Sequence, residues 1–279
     1  MEYIIVVDSC GEIPEELKQD ERLASAPLTM CVGNEEIIDD ENFDQASFLK
    51  IVAECPECPK SACPSPDYYQ NAYDCGAKHI YAVTLSAELS GSYNSALLGM
   101  DLFKEEHPDV KGHVFNSRSA SVGETLIALK IMELEDQGLP FEKVVEQTEQ
   151  YIEEQNTFFV LENLETLRKN GRLSRTKAMV ASALKIKPIM GATKEGVICQ
   201  LGQARGINKA LVKMVDAIIA ATVDSGNKIL GISHCNCLER AEMVKDALLA
   251  RMKVKDVILL DTAGISSMYA NDGGIIVVI

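Results

Sequence analysis

Five hydroxyl side chains fall within the twelve residues "LSAELSGSYNSA" (residues 85–96). An apolar run that predicts a strand precedes them, and an alanine-containing run that predicts a helix follows. Ser90 is predicted to be the N-cap of that helix, and Gly91 allows a ligand to approach the backbone closely. The unpaired amides of a first helical turn attract anions. The stretch therefore predicts a helix cap, an anchor for an anionic ligand or a nucleophilic serine.

A nucleophilic Ser90 would need a base, which is usually a histidine. Of the four histidines, only His234, at the end of the apolar run "ILGISH", stands where an active residue is expected. The stretch lacks the Gly-x-Ser-x-Gly elbow of α/β-hydrolases. An acyl hydrolase or transferase that uses Ser90 with His234 is therefore the alternative to ligand binding. A sensor for a phosphate or sugar ligand, built on the same helix N-termini, is a third hypothesis.

Two further polar stretches precede predicted helices. Asp8 and Ser9 follow the apolar run "YIIVV", and Ser61 opens the proline-containing turn "SACPSP". Ligands of open α/β sheets gather at the carboxyl ends of the strands. We therefore expect Asp8, Ser9, Ser61 and Ser90 to reach one edge of a sheet.

The stretch "LRKNGRLSR" (residues 167–175) is basic in a chain whose net charge is −15. Lysine and arginine near the end of a helix, followed by a C-cap at Gly171, account for part of it. An exposed basic loop also suits docking to an acidic partner or to a phosphate-bearing ligand. The residues assigned to this docking loop are Arg168, Lys169, Arg172 and Arg175.

Nine cysteines raise the question of a metal site. Cys55, Cys58 and Cys63 form one local group, and Cys235 and Cys237 form another beside a histidine. Together they offer soft ligands to zinc. The Cys-x-Cys spacing is unusual for zinc, and prolines bracket the first pair. We predict reduced thiols and no metal.

The overall charge argues against several classes of partner. A pI of about 4.8 argues against nucleic acid as a partner, because its phosphate backbone selects for clustered lysine and arginine. An anionic membrane surface is disfavoured for the same reason. No apolar stretch approaches the roughly 20 residues that span a bilayer. We expect a cytoplasmic protein without stable membrane insertion.

The order of predicted elements indicates an α/β fold. Strand, turn and helix repeat through the first half, as in a parallel sheet. From about residue 157, two β segments joined by a turn suggest a mixed sheet. We predict two α/β domains, residues 1–155 and 156–279, with the terminal strand "GGIIVVI" returning toward their junction.

Five stretches in order resemble the DegV family of bacterial fatty-acid-binding proteins. They are "VVDS", "SACPSP", "LSGSYNSA", "NLETLRKNGRLS" and a following "KPI". The resemblance implies one long-chain fatty acid, such as palmitate, stearate or oleate, buried at the domain junction, and no other cofactor. It places the carboxylate on Ser61 and Ser90. The helix start at Gly91 and Ser92 adds donors, and the expected additional head-group contacts are Asp8, Ser9, Tyr269 and Asn271.

The resemblance also implies a carrier that is not itself an enzyme. Some members of the family present the fatty acid to a separate kinase subunit, which phosphorylates the carboxylate. The basic loop would then face that partner. Where the family commonly has a histidine near its C-terminus, this chain has Ala270, so Tyr269, Asn271 or a water molecule is expected to donate instead. Ser61 and Cys63 stand where the family usually has threonine and glutamine.

Overall fold

The computed structural model describes residues 1–173 and 185–279, and the elements below lie in those ranges. The strands are β1 (Tyr3–Asp8), β2 (Leu23–Ala26), β3 (Thr29–Val32), β4 (Glu35–Ile38), β5 (Lys60–Ala62), β6 (His79–Thr84), β7 (Lys111–Asn116), β8 (Thr157–Val160), β9 (Ile186–Ala192), β10 (Ile198–Arg205), β11 (Ile229–His234), β12 (Asp256–Asp261) and β13 (Ile275–Val278). The helices are α1 (Gln45–Glu54), α2 (Pro66–Tyr73), α3 (Ser92–Glu106), α4 (Val122–Asp136), α5 (Phe141–Glu154), α6 (Glu165–Lys169), α7 (Ile207–Ala221), α8 (Leu238–Leu249) and α9 (Gly264–Ala270).

The N-terminal sheet is parallel throughout, with the strand order β2-β1-β6-β7. Every residue of β1 is buried, because helices cover both faces of the sheet. Helices α2 and α3 pack on one face, against Ile4 and Val6, while α4 and α5 pack on the other, against Ile5 and Val7. The predicted parallel sheet is confirmed.

The C-terminal sheet is mixed and has the order β10-β9-β8-β13-β11-β12. Only the β11–β12 pair is parallel, and the other neighbours run antiparallel. The terminal strand β13 lies in the middle, where Ile275 pairs with Val160 on one side and with His234 on the other. Helices α7 and α8 contribute to the core on one face of this sheet. The predicted mixed sheet is confirmed.

A third, three-stranded antiparallel sheet of order β4-β3-β5 was not predicted. Its strands have only three or four residues, too few for an alternating pattern to stand out. Ser61, expected in a turn, lies on β5 opposite Met30. A strand fixes its backbone more firmly than a turn would.

Helix α4 lies between the two large sheets. Its residues Val122 and Leu126 pack on Val278 of the C-terminal sheet, while Ile127 and Ile131 join the N-terminal core. Helix α4 is largely buried, but its 15 residues are fewer than the roughly 20 that span a bilayer. Within the described ranges no helix is long and apolar enough to cross a membrane. Because α4 contacts both sheets, the domain division near residue 155 stays a prediction.

Candidate functional site

A cavity lies where the two large sheets and the small sheet meet. It encloses about 840 Å³ of space, counting the part that is open to solvent. Its walls are mainly apolar, with Leu28, Leu85, Phe159, Leu161, Ile198 and Ile276 among the lining side chains.

The strand β8 gives the cavity a direction. Thr157 and Leu161 both line it and stand four residues apart, or roughly 13 Å along an extended chain. Leu161 packs in one cluster with Leu167 and Tyr269. Thr157 instead bonds through its hydroxyl to Ser119, 2.7 Å away. We call the Leu161 side the head end and the Thr157 side the distal end.

Four polar side chains line the head end: Ser61, Ser90, Arg172 and Tyr269. The Ser61 hydroxyl lies 3.0 Å from the Tyr269 hydroxyl. The guanidinium carbon of Arg172 lies 5.7 Å from the centre of the Tyr269 ring, and its Nε donates to the Leu89 carbonyl at 3.1 Å. All four side chains are partly exposed, so a ligand can reach them from solvent.

The position of Ser90 differs by one residue from the predicted N-cap. Helix α3 begins at Ser92 with Gly91 as its cap, and Gly91 makes no side-chain capping bond. Ser90 still supports the first turn, because its hydroxyl accepts from the Ser92 amide at 3.2 Å. It also lies 3.2 Å from the Ser92 hydroxyl. Ser90 therefore points a hydroxyl at the cavity from just before the helix.

Tyr269 is held in place by the short helix α9. The first amides of α9, those of Gly264 and Ile265, donate to the Asp39 carboxylate at 2.7 and 2.9 Å. Ser9 donates to the same carboxylate at 2.9 Å. Burial raises the pKa of Tyr269, so its hydroxyl stays protonated and can donate. Ser9 thus has a structural role behind the site.

The other expected head-group residues do not line the cavity in the described part of the chain. Asp8 is fully buried, and its carboxylate accepts from the amides of Leu85 and Cys10. Gly91, which is exposed, and the buried Ser92 follow Ser90 at the start of α3. Asn271 donates to the Tyr269 carbonyl and accepts from Thr166, so it supports the end of α9.

Comparison with known proteins bears on this site. A family model described as "Uncharacterised protein, DegV family" matches residues 3–279. The chain belongs to the DegV family. A curated DegV domain-containing protein of Streptococcus pneumoniae is 36% identical over 254 residues, which cover 90% of this chain and 89% of that protein.

Two solved DegV structures resemble the chain along its whole length. One, from Ruminococcus gnavus and refined with vaccenic acid, has 55% identity and a TM-score of 0.97, covering 100% of this chain and 99% of that one. The other is the Streptococcus pneumoniae Fatty Acid Kinase (Fak) B3 protein loaded with linoleic acid. It has 32% identity and a TM-score of 0.90, with the same coverage. These DegV proteins share the two-sheet fold and bind fatty acids.

The basic loop of this DegV chain divides into two parts. Arg168 and Lys169 are exposed, and Arg168 pairs with Glu165 at 2.7 Å. Arg172, which was assigned to the same docking loop, lies in the cavity wall. Arg175 lies outside the described residues.

The geometry does not pair Ser90 with His234. The Nδ1 atom of His234 lies 3.1 Å from an oxygen of Asp261 and accepts from the Cys237 amide at 3.4 Å. Burial lowers the pKa of this imidazole, and Asp261 opposes that shift. His234 is not among the described residues that line the cavity, whereas Ser90 is. The hydrolase alternative therefore has no supporting contact.

Several lining residues were missed from the sequence. They are the polar side chains of the distal end and of the cavity floor: Arg118, Ser119, Ser121, Thr157, Ser266 and Cys10. The turn "NSRSAS" (residues 116–121) follows β7 at the same sheet edge as Ser90, and this position could have predicted that its residues line the cavity.

The cysteines considered as zinc ligands lie apart from the group of acids and thiol that the described residues bring together. That group consists of Asp8, Cys10 and Glu124.

Proposed function

We propose that this chain binds one long-chain fatty acid in the cavity, with the carboxylate at the head end and the tail toward Thr157. The observation that carries the proposal is a mainly apolar cavity whose head end is lined by the hydroxyls of Ser61, Ser90 and Tyr269. Ser61, Ser90 and Tyr269 are the donors to the carboxylate, and Arg172 is the nearby cation. Ala270 stands where the family commonly has a histidine, and the neighbouring Tyr269 supplies the donor instead.

The energetics of such a ligand agree with this arrangement. Burying a methylene gains about 0.8 kcal/mol, so a chain of some 14 methylenes gains on the order of 10 kcal/mol before the costs of binding. A carboxylate removed from water needs hydrogen-bond donors. Three neutral hydroxyls supply these donors, and Arg172 adds a positive charge nearby. A carboxylate held in this way keeps lone pairs with which it can attack a phosphoryl donor.

We further propose that the chain is a carrier that presents its fatty acid to a separate kinase subunit. Support comes from the likeness to the Fak B3 protein and from the partly exposed head end. The exposed Arg168 and Lys169 stand beside that opening and offer positive charge to a partner. Arg175 is assigned to the same surface.

Native mass spectrometry of the purified chain tests the binding proposal. The expected result is an added mass of one C14–C18 fatty acid that disappears on denaturation. The Ser61→Ala/Ser90→Ala double variant should lose most of it, because two donors to a buried carboxylate are removed. Ser225→Ala, a partly exposed serine remote from the cavity lining, is the matched control and should keep the ligand.

Two outcomes would contradict the proposal. A wild-type chain that stays free of added mass after incubation with oleate or palmitate does not bind such lipids. A double variant that binds as well as the control would move the carboxylate away from Ser61 and Ser90. Ester turnover that depends on Ser90 would instead restore the hydrolase alternative.

A further inference from the structure

Behind the head end lies a group of acidic side chains without a cation. Asp8 and Glu124 are fully buried, and an oxygen of each lies within 4.8 Å of the other and of the Cys10 sulfur. Both carboxylate oxygens of Glu124 have no hydrogen-bond partner among the described residues. Leaving a buried ionised carboxylate unpaired costs several kcal/mol. This cost falls if Glu124 is protonated, because a neutral carboxyl group can itself donate a hydrogen bond.

The groups that face this pair come from several elements, and those that titrate are acids. Cys10 and Glu12 follow β1, Tyr69 comes from α2, and Ser92 comes from α3. Glu12 is itself buried and accepts hydrogen bonds from Ser121 and Ser233. Like charges this close in a dry interior cannot all ionise.

We propose that Asp8 and Glu124 share one proton, carried by Glu124 and donated to Asp8, and that this pair positions the residues that hold the fatty-acid head group. A protonated Glu124 gains the partner that it otherwise lacks, and Asp8 stays the acceptor. The positioning role rests on the proposed function, whereas the shared proton does not. Burial, and then the charge of Asp8, raise the pKa of Glu124 well above its usual range. Burial raises the pKa of Asp8 only to about 6.

Asp8 connects the pair to the cavity. One of its oxygens accepts from the Leu85 amide at 2.9 Å and the other from the Cys10 amide at 3.1 Å. Leu85 and Cys10 both line the cavity. Asp8 therefore fixes the backbone of two opposing pieces of wall.

Ser92 connects Asp8 with a head-group serine. It lowers the pKa of Asp8 and so opposes the effect of burial. The Ser92 hydroxyl lies 3.2 Å from that of Ser90, which lines the cavity. A change in the charge of Asp8 can therefore act on the Ser90 hydroxyl through Ser92.

A metal ion is the competing occupant of the same place. Asp8, Cys10 and Glu124 offer three ligand atoms, one short of the four of a structural zinc site. Burial raises the pKa of the Cys10 thiol well above its usual range, and the Ser121 amide donates to its sulfur at 3.4 Å. These features favour a neutral thiol and a shared proton.

Infrared spectroscopy of the wild-type chain tests the proton directly. Subtracting the spectrum of Glu124→Gln should leave the carbonyl stretch of a protonated, buried carboxylic acid at pH 7. Glu142→Gln, a change at an exposed glutamate that pairs with Lys111, is the matched control and should leave no such band. Absence of the band for Glu124, or a stoichiometric divalent metal in the purified chain that Glu124→Gln removes, would overturn the proposal.

Oleate affinity tests the positioning role. Glu124→Gln keeps a donor to Asp8 and should stay within about threefold of wild type at pH 6, whereas Glu124→Met has no donor and should weaken binding about tenfold or more. From pH 6 to 9 the wild-type affinity should fall as the shared proton is lost, and that of Glu124→Gln should not change with it. Equal losses in both variants, or the same pH profile in wild type and Glu124→Gln, would refute positioning. If wild type binds no oleate at any pH, the proposed function fails, while the infrared band still decides the proton.

Discussion

The head end of the cavity and the acid pair behind it are two polar regions with opposite requirements. At the head end, the hydroxyls of Ser61 and Tyr269 contact each other, and that of Ser90 contacts Ser92, so each can turn to donate to an anion. At the acid pair, Asp8 accepts from two backbone amides, whereas neither oxygen of Glu124 has a partner among the described residues. The head end is partly exposed, and the acid pair is sealed.

The difference shows how one sheet edge can serve two purposes. A ligand that supplies negative charge completes the head end, so its donors are kept uncharged and accessible. A proton completes the acid pair, and burial holds that proton in place. Ser92 lies between the two: its hydroxyl is 3.2 Å from that of Ser90, and it lowers the pKa of Asp8 against the effect of burial.

The largest expected effect on fatty-acid binding comes from placing a charge in the apolar part of the cavity, where we propose that the tail lies. Ile198→Arg places a charge in the cavity wall, where it has no partner and occupies the space of the tail. We expect complete loss of bound fatty acid in native mass spectra, with circular dichroism reporting whether the fold persists. Ile38→Arg is the matched control, because Ile38 is half exposed. A folded Ile198→Arg variant that still carries the lipid would refute the location of the tail.

The pH dependence of stability tests the buried carboxyl groups behind the head end, which include Glu12. Burial raises the pKa of Glu12 from 4.5 to about 7, so the folded chain holds a proton that the unfolded chain releases. The free energy of unfolding should therefore fall as the pH rises from about 4.5 to 7, by about 3 kcal/mol from this residue. Urea unfolding of Glu12→Gln should lack this part of the decline. Parallel profiles for the two proteins would contradict the assignment.

A smaller effect is expected at the head end itself. Tyr269→Phe removes the hydroxyl that lies 3.0 Å from Ser61 and leaves the ring under Arg172. Losing one neutral donor should weaken fatty-acid affinity about threefold to tenfold. Calorimetric titration with oleate measures it, and Tyr68→Phe, at an exposed tyrosine, is the control. Unchanged affinity in Tyr269→Phe would exclude Tyr269 as a donor.

The smallest effect on binding is expected at the exposed basic residues. Arg168→Ala/Lys169→Ala removes charge from the rim but no donor from the cavity, so oleate affinity should change less than twofold. The pair of Arg168 with Glu165 is exposed and contributes little to stability. If these residues dock a kinase subunit, acyl-phosphate formation with that subunit should fall markedly. Normal phosphorylation would remove them from the docking surface.

Sequence reasoning predicted the two large sheets because long apolar strands alternate with helices that have clear start and stop signals. The run "YIIVVD" is fully buried in a parallel sheet, as its continuous apolar character indicates. Ser90 was expected at the ligand edge because it follows a strand, whereas the resemblance to the DegV family assigned Ser61 to the head group. Both line the cavity. The small sheet was missed, because its strands are too short for their pattern to be read.

The roles of individual polar residues were harder to predict. Asp8 and Ser9 follow a strand at the ligand edge, yet both bond backbone or carboxyl groups of the protein itself. Their chain position alone cannot reveal which partner is closer. The roles of Arg172 and Glu124 depend on contacts between residues far apart in sequence. A single sequence without an alignment does not reveal such contacts.

The central place of β13 has a consequence for the order of folding. Strands β8 and β11 do not pair with each other, since β13 lies between them. The C-terminal sheet therefore stays divided until residues 275–278 have been synthesised, more than a hundred residues after β8. Pairings of such long sequence separation form slowly. Until then the cavity lacks the part of its wall that carries Ile276, so a nascent chain that has completed its N-terminal sheet has only part of the cavity.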